Sequence, residues 1–450
     1  MESSTFIRPE KGAQLDLQVD ALAYGGNGIA RLEGYVVFVS GAIPGDRVRA
    51  VVTKRKRAYA EARTLEVLEP SPERIAPLAD HPGAPWQVLP YERQLAVKHE
   101  QVRDALTRIG HLDGYVLDEI VPAVAQWRYR NKLEYSFGTS DGGALVCGFH
   151  APGSWHEIVP VSDCLLASER SNAARDQVLA WCREQGLEAF DRRTHTGFLR
   201  NLVVREGRRT GQLQARLVTG PGELDGMSLA AAVDCEGLMW TRTDALAETT
   251  QGGVTEIVSG APALQEELCG LQFSISPHAF FQTNTEMAEQ LYGIAGQRAG
   301  LQGWERVYDL YCGIGTVGLS LAARAGEVWG LELVESAVAD AIANARRNEI
   351  KNARFFAGDV RLALRELVEE ARRPDVMAVD PPRAGLSQKI VRRIVEAAPR
   401  RIVYISCNPT TLAPNAAQLV EAGYALRRIT PVDMFPQTPH IECVALLERA

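Results

Sequence analysis

Residues 306–332 read RVYDLYCGIGTVGLSLAARAGEVWGLE. RVYDLY is rich in β-branched and aromatic residues, and it runs into a turn in which Gly313, Gly315 and Gly318 follow the spacing G-x-G-x-x-G. TVGLSLAARA has helical spacing, and EVWGLEL is strand-like again. A strand, a glycine turn and a helix in this order let the backbone come close to a ligand at the helix N-terminus, where free amides point outward. Glu332 closes the second strand, where a carboxylate can accept hydrogen bonds from ribose hydroxyls. The alternation continues downstream through SAVADAIANARRNEI, ARFFAGD, RLALRELVEEARR, DVMAVDPPR, KIVRRIVEAAP and RIVYISCNP. Helices and strands alternating in this way predict a doubly wound, mostly parallel sheet, whose ligands bind at the carboxyl ends of the strands. Taken alone, the glycine pattern fits a dinucleotide site, an S-adenosylmethionine site or a turn without a ligand.

Two later strand ends narrow the choice. AVDPPRAGL puts Asp380 ahead of Pro381 and Pro382, which keep the backbone extended and rigid past the strand. YISCNP puts Cys407 at the ligand end of another strand, followed by Asn408 and Pro409. A dehydrogenase has no use for a thiol there. An enzyme that modifies a pyrimidine does, because a thiolate that adds to carbon 6 makes carbon 5 nucleophilic. Finally, DMFPQTPHIECVALLER sets Glu442 in an apolar run with His440 two residues before it, on the same side of a strand. Apolar surroundings raise a carboxylate's proton affinity, which suits a general base; the alternative is a glutamate on an exposed edge strand. Cys312 and Cys443 adjoin these residues and read as packing.

Upstream of this region the chain changes character. Residues 9–70 are short strand-like runs (LDLQVDAL, YVVFVSGA, DRVRAVVTK) separated by Gly25, Gly26 and Gly28, which predicts a small closed β-barrel. Arg47, Arg49, Lys54, Arg55, Lys56, Arg57 and Arg63 cluster there with Tyr59, forming either a solvated face or a surface for an RNA backbone with an aromatic ring for stacking. A proline-rich linker (Pro70, Pro72, Pro77, Pro82, Pro85, Pro90) leads into YERQLAVKHEQVRDALTRIG, a helix ending at Gly110. Strand-like runs and polar turns then predict an α+β domain within 71–280, with Arg128, Arg130, Asn131 and Lys132 in one polar cluster and Arg200, Asn201 and Arg205 in another. The catalytic domain is expected over 281–450.

Composition sets outer bounds. With 46% hydrophobic and 23% charged residues the 450-residue chain is ordinary globular protein, and at −7 it is not basic as a whole, so any nucleic-acid footprint has to be local. There is no apolar run long enough to span a membrane and no apolar signal core in MESSTFIRPEKGAQ, so a cytoplasmic protein is expected. None of the eight cysteines forms a C-x-x-C pair, which argues against a structural zinc site or a disulfide framework.

YDLYCGIGTVGL, AVDPPRAGL, YISCNPTTLAPN and DMFPQTPHIECVALLER, with FFQTNTEMAEQLY, together resemble the RNA uridine-C5 methyltransferase family, which includes bacterial 23S rRNA and transfer-RNA 5-methyluridine enzymes. The N-terminal segment resembles the TRAM domain, a small RNA-binding barrel. The resemblance implies a Rossmann-like catalytic domain that uses S-adenosylmethionine, with Cys407 as nucleophile and Glu442 as the base that removes the C5 proton. It implies cofactor contacts from Gln282, Tyr311, Glu332 and Asp380, together with the Gly313–Gly315 turn, Thr316 (where the family often has asparagine) and Asp359 on the adenine side. RNA contacts are expected from Lys54, Arg55, Lys56, Arg57, Arg130 and Lys132, a 23S rRNA uridine is the expected target with tRNA as the alternative, and a monomer is expected. An NAD-dependent oxidoreductase would leave Cys407, Glu442 and the basic barrel unexplained, and a non-catalytic RNA-binding protein would tolerate loss of the thiol. In one respect the chain departs from many ribosomal members, which hold a 4Fe-4S cluster with three closely spaced cysteines and a fourth in D-C-L-L. Cys164 is present in SDCLL, but PLADHPGAPW (77–86) has no cysteine, and His81 with Cys164 falls short of four ligands, so neither an iron–sulfur cluster nor another metal is expected.

Overall fold

The computed structural model describes residues 8–247 and 249–450. The first seven residues, part of the stretch read above for a signal core, lie outside it. Strands β1 (Gln14–Leu22), β2 (Gly28–Leu32), β3 (Tyr35–Ser40), β4 (Arg47–Arg55) and β5 (Tyr59–Glu69) close into a barrel in the order β1-β2-β3-β5-β4. Strict alternation produces it: in β3, Tyr35, Val37 and Val39 point inward and meet Leu17, Val48, Val52 and Ala62. Helix α1 (Tyr91–Asp104) continues through one wider turn, Ala105–Ile109, to Gly110. The two-residue strand β6 (Val116–Leu117) follows and pairs in parallel with a strand near the C-terminus.

The middle of the chain forms a seven-stranded sheet from β7 (Lys132–Thr139), β8 (Leu145–His150), β9 (Ile158–Pro160), β10 (Leu199–Glu206), β11 (Leu213–Thr219), β12 (Gly237–Arg242) and β13 (Val254–Gly260), ordered β13-β12-β11-β10-β7-β8-β9. Helices α2 (Glu169–Glu184) and α3 (Gly226–Ala232) cover one face, where Val178, Trp181 and Leu229 pack on Leu133, Tyr135, Leu202, Val204 and Leu217. The hairpin β14 (Leu264–Leu268) and β15 (Leu271–Ile275) leads into α4 (Thr285–Ala299), capped by the Asn284 side chain.

From there the chain alternates: β16 (Arg306–Leu310), α5 (Thr316–Ala322), β17 (Glu327–Glu332), α6 (Glu335–Arg347), β18 (Ala353–Ala357), α7 (Val360–Ala371), β19 (Val376–Val379), α8 (Gln388–Ala397), β20 (Arg401–Ser406), α9 (Pro409–Glu421), β21 (Tyr424–Val432) and β22 (Glu442–Arg449). The sheet order is β18-β17-β16-β19-β20-β22-β21-β6. Separate apolar cores on its two faces make it doubly wound. Only β22 runs antiparallel to its neighbours β20 and β21. That reversal brings the first residue of β22, Glu442, to the edge where the parallel strands end. Helix α1 and the turn after it pack on this sheet, with Val102 and Leu106 in one cluster with Leu412 and Ala416 of α9.

Candidate active site

At the cofactor end, the glycine turn is fixed by groups of its own domain. Gly313 and Gly315 have φ of 53° and 88°, in the left-handed region that glycine enters without a Cβ penalty. A Cβ built on Gly315 would sit 3.1 Å from both Leu319 and Phe355, whereas one on Gly313 meets nothing within 4 Å, so the backbone there faces open space. Glu332 accepts from the Gly313 amide (3.1 Å) with one oxygen and from the Val334 amide (3.0 Å) with the other. Below the turn, fully buried Asp309 accepts from the Gly318 amide at 2.7 Å. Burial pushes its carboxyl up to about 8, so it is largely neutral at pH 7, and its second oxygen has no partner. Asn344 donates to the Ile314 carbonyl from the other side. Asp309 has no part in the sequence-based expectations above; a carboxylate two residues before the Tyr311-Cys312-Gly313 corner is the signal that marks it.

The other predicted cofactor residues differ in setting. Tyr311 is half-buried at φ 65°, and burial, with Asp359 and Glu332 nearby, raises its hydroxyl to about 12. Gln282 is buried, and its carbonyl accepts from Asn131 of the central domain. The Thr316 hydroxyl lies 3.2 Å from the Tyr292 hydroxyl. Asp359 is exposed and caps α7 through the Arg361 amide. Asp380, just past β19, is raised by burial to about 7. Open space at Gly313, half-exposed carboxylates and backbone-held oxygens fit an adenosyl cofactor with ribose hydroxyls.

The residues predicted to act on the base lie two strands along. Ser406 of β20 pairs with Cys443 of β22, so one position further Cys407 stands opposite Glu442, and opposed residues share a sheet face. Burial comes first in raising the Cys407 thiol to about 11, with Glu442 and Asp380 adding repulsion and Arg383 opposing them. Glu442 is 4% exposed, held inside the sheet rather than on an edge, and burial followed by Asp380 pushes its carboxyl well above the usual range. Arg383 also meets His440, guanidinium to Nδ1 at 2.7 Å. Burial and this cation lower His440 to about 4, so it is a neutral acceptor. Asn408 ties the two loops together: its Oδ1 caps α9 at the Thr410 amide, and its Nδ2 donates to the Arg383 carbonyl. Neither Arg383 nor Asn408 was given a part by the sequence reading.

Known proteins resemble this one over nearly its whole length. Residues 269–450 match the model for "tRNA (Uracil-5-)-methyltransferase" and residues 8–65 the model for the TRAM domain. An uncharacterised RNA methyltransferase of Halalkalibacterium halodurans is 35% identical, with 97% of each chain covered, and one from Gloeobacter violaceus is 38% identical over 98% of this chain and 97% of the relative. The crystal structure of the Pyrococcus abyssi tRNA (uracil-54, C5)-methyltransferase in complex with S-adenosyl-L-homocysteine superposes with a TM-score of 0.78, at 28% identity, covering 96% of this chain and all of that one. The chain belongs to the RNA (uracil-5-)-methyltransferase family. It is therefore an S-adenosylmethionine-dependent enzyme acting on RNA, and the oxidoreductase and non-catalytic readings fall away.

The methyltransferase's basic residues are unequal in what they offer RNA. In the barrel, Lys54 pairs with Glu61 at 2.9 Å, Arg47 with Glu69, and Arg49 with Asp16 and Glu66. Arg55, Lys56 and Arg57, at the β4–β5 tip, are exposed. Arg130 lies over the Phe435 ring (5.5 Å to its centroid), next to His440. Lys132 pairs with Glu134 and is mostly covered.

In the segment 77–86, the buried His81 accepts the Gly83 amide at Nδ1 (3.1 Å). Its proton is therefore on Nε2, which lies 3.1 Å from Cys164 Sγ and donates to it. Burial lowers the imidazole's proton affinity, in keeping with a neutral ring. Among the described residues no group of three or more His, Cys, Asp or Glu side chains converges as a metal site. No helix among them is long and apolar enough to cross a membrane.

Proposed function

We propose that this methyltransferase methylates carbon 5 of a uridine in 23S ribosomal RNA through a covalent bond from Cys407 to carbon 6. The observation that carries the covalent step is a thiol facing a buried carboxyl, Glu442, at the carboxyl end of the parallel strands, with Asp380 and the Arg383 guanidinium beside them. The target base leaves its stack, because its two reacting carbons must meet groups deep in a pocket. In the RNA-free enzyme the thiol, raised to about 11, is protonated at neutral pH, and Arg383 is the neighbour that favours the thiolate. The Cys407 thiol gives up its proton to solvent, its sulfur bonds to C6, and the electron pair of the C5–C6 double bond makes C5 nucleophilic. Gln282, Tyr311, Gly313, Gly315, Thr316, Glu332, Asp359 and Asp380 would hold S-adenosylmethionine, whose sulfonium methyl would pass to C5 as its sulfur–methyl bond breaks, leaving S-adenosylhomocysteine. Glu442 then takes the C5 proton, the double bond re-forms and the carbon–sulfur bond breaks.

Two variants test the chemistry. Cys407→Ala should abolish methyl transfer while S-adenosylhomocysteine affinity stays within twofold, and turnover by this variant would end the covalent reading. Glu442→Gln should stall after methylation and leave a protein–RNA adduct that survives denaturation. A transfer-RNA uridine is the second reading, favoured by the substrate of the Pyrococcus enzyme. Mass-spectrometric mapping of 5-methyluridine in rRNA and tRNA from cells lacking the enzyme decides between them.

A further inference from the structure

Cys407 lies one residue beyond the β20–β22 ladder, whose last pair is Ser406 with Cys443, so its carbonyl is not committed to the sheet. The group that reaches it comes from the barrel, 383 residues earlier: the Tyr24 hydroxyl, 3.2 Å away. A carbonyl only accepts, so the tyrosine donates. Burial pushes this hydroxyl up to about 12, which keeps its proton in place at neutral pH. Two glycines at φ 90° and 93° follow Tyr24 and turn the chain back sharply. A Cβ on Gly26 would lie 2.9 Å from Pro439 and 3.1 Å from the Trp86 indole nitrogen. One barrel turn thus touches both the loop carrying the thiol and the loop leading to Glu442. Gln101 of α1 holds the turn from behind by donating to the Ala23 carbonyl at 3.2 Å.

We infer that Tyr24 is a positioning residue for the nucleophile: by fixing the Cys407 carbonyl it sets the direction of the thiol, which makes the RNA-binding barrel part of the catalytic apparatus. The inference rests on the reading of Cys407 as nucleophile. A backbone carbonyl left free to swing moves its own side chain, and a displacement of about 1 Å at a reacting atom lowers rates steeply. The hydrogen bond ties the barrel turn to the catalytic loop, so that RNA docked on the barrel would arrive in register with the thiol.

The test is Tyr24→Phe, which removes one oxygen atom and no packing. Methyl transfer is followed with tritiated S-adenosylmethionine and total RNA from cells lacking the enzyme. The maximal rate should fall about tenfold, the equivalent of one neutral hydrogen bond. The RNA concentration giving half-maximal rate, the affinity for S-adenosylhomocysteine and the melting temperature should stay close to those of the parent. In a Glu442→Gln background, the same change should slow accumulation of the covalent adduct by the same factor. A maximal rate within twofold of the parent would overturn the inference. So would a defect seen only at low RNA, which would make Tyr24 an RNA contact. Gly26→Ala, which pushes the turn off Pro439, should reproduce the rate defect; if it does so while Tyr24→Phe does not, the hydroxyl is not the agent. Turnover by Cys407→Ala, run in parallel, would instead remove the premise and is a separate outcome.

Discussion

The two halves of the site are held in different ways. The glycine turn at 313–318 is braced by Asp309, Glu332 and Asn344, all in the domain that contains it. The loop 433–441, which delivers Glu442, is braced mainly from outside that domain. Lys98 of α1 meets Asp433 at 2.6 Å, both side chains fully buried, and Tyr91 donates to the other oxygen of that carboxylate. Gln94 exchanges hydrogen bonds with Gln437, while Tyr129 and Asn284 donate to the Pro436 and Met434 carbonyls. Even the linker contributes, through the Trp86 amide to the Gln437 carbonyl. The glycine turn is thus braced within the α/β domain, and among the predicted cofactor residues Gln282 is reached from the central domain, by Asn131. The loop that carries Glu442 depends instead on the linker, α1 and the central domain together.

The heaviest loss should follow Lys98→Met. It strands the Asp433 carboxylate without a counter-charge in a dry site, at a cost of about 3–5 kcal/mol. Denaturant unfolding would measure it. In the protein that remains folded, S-adenosylhomocysteine should still bind while adduct formation is lost. Equal loss of both would mean that the halves are not independent. Asp309→Ala attacks the other half. It leaves the Gly318 amide without its acceptor, and cofactor affinity should drop about tenfold, as read by calorimetry. Asp309→Asn should stay near the parent, because the native carboxyl is already largely neutral at pH 7.

The cofactor half was legible in the sequence because a strand, a glycine turn and a helix are local signals within thirty residues. The predicted barrel, α+β middle domain and doubly wound sheet all stand in the structure. The braces of the second half were hidden, since Lys98 and Asp433 lie 335 residues apart and neither belongs to a short motif. The direction of β22 was hidden as well: alternation shows that a strand exists but not which way it runs, and the burial of Glu442 depends on that direction. Pairing explains why a basic run overstated its own charge, with Lys54 already matched by Glu61.

The smallest effect should come from the barrel surface. Reversing the charges of Arg55, Lys56 and Arg57 should weaken RNA binding several-fold and flatten its dependence on salt, as expected when phosphate contacts are lost. Cofactor affinity and the maximal rate should be untouched. The same change at Lys54 should do less, because its carboxylate partner already neutralises it.

The two residues of β6 carry a consequence for how the chain is made. They close the far edge of the catalytic sheet by pairing with β21, which the ribosome delivers about 310 residues later. At roughly 5–20 residues per second, that strand waits on the order of a minute or less for its partner. A fragment limited to 269–450 would emerge with the β21 edge bare and with the α9 residues that meet Val102 and Leu106 exposed to water. Open strand edges beside apolar patches recruit other chains. Such a fragment should therefore aggregate, so the stretch that marks the family in sequence is shorter than the piece able to live alone in solution.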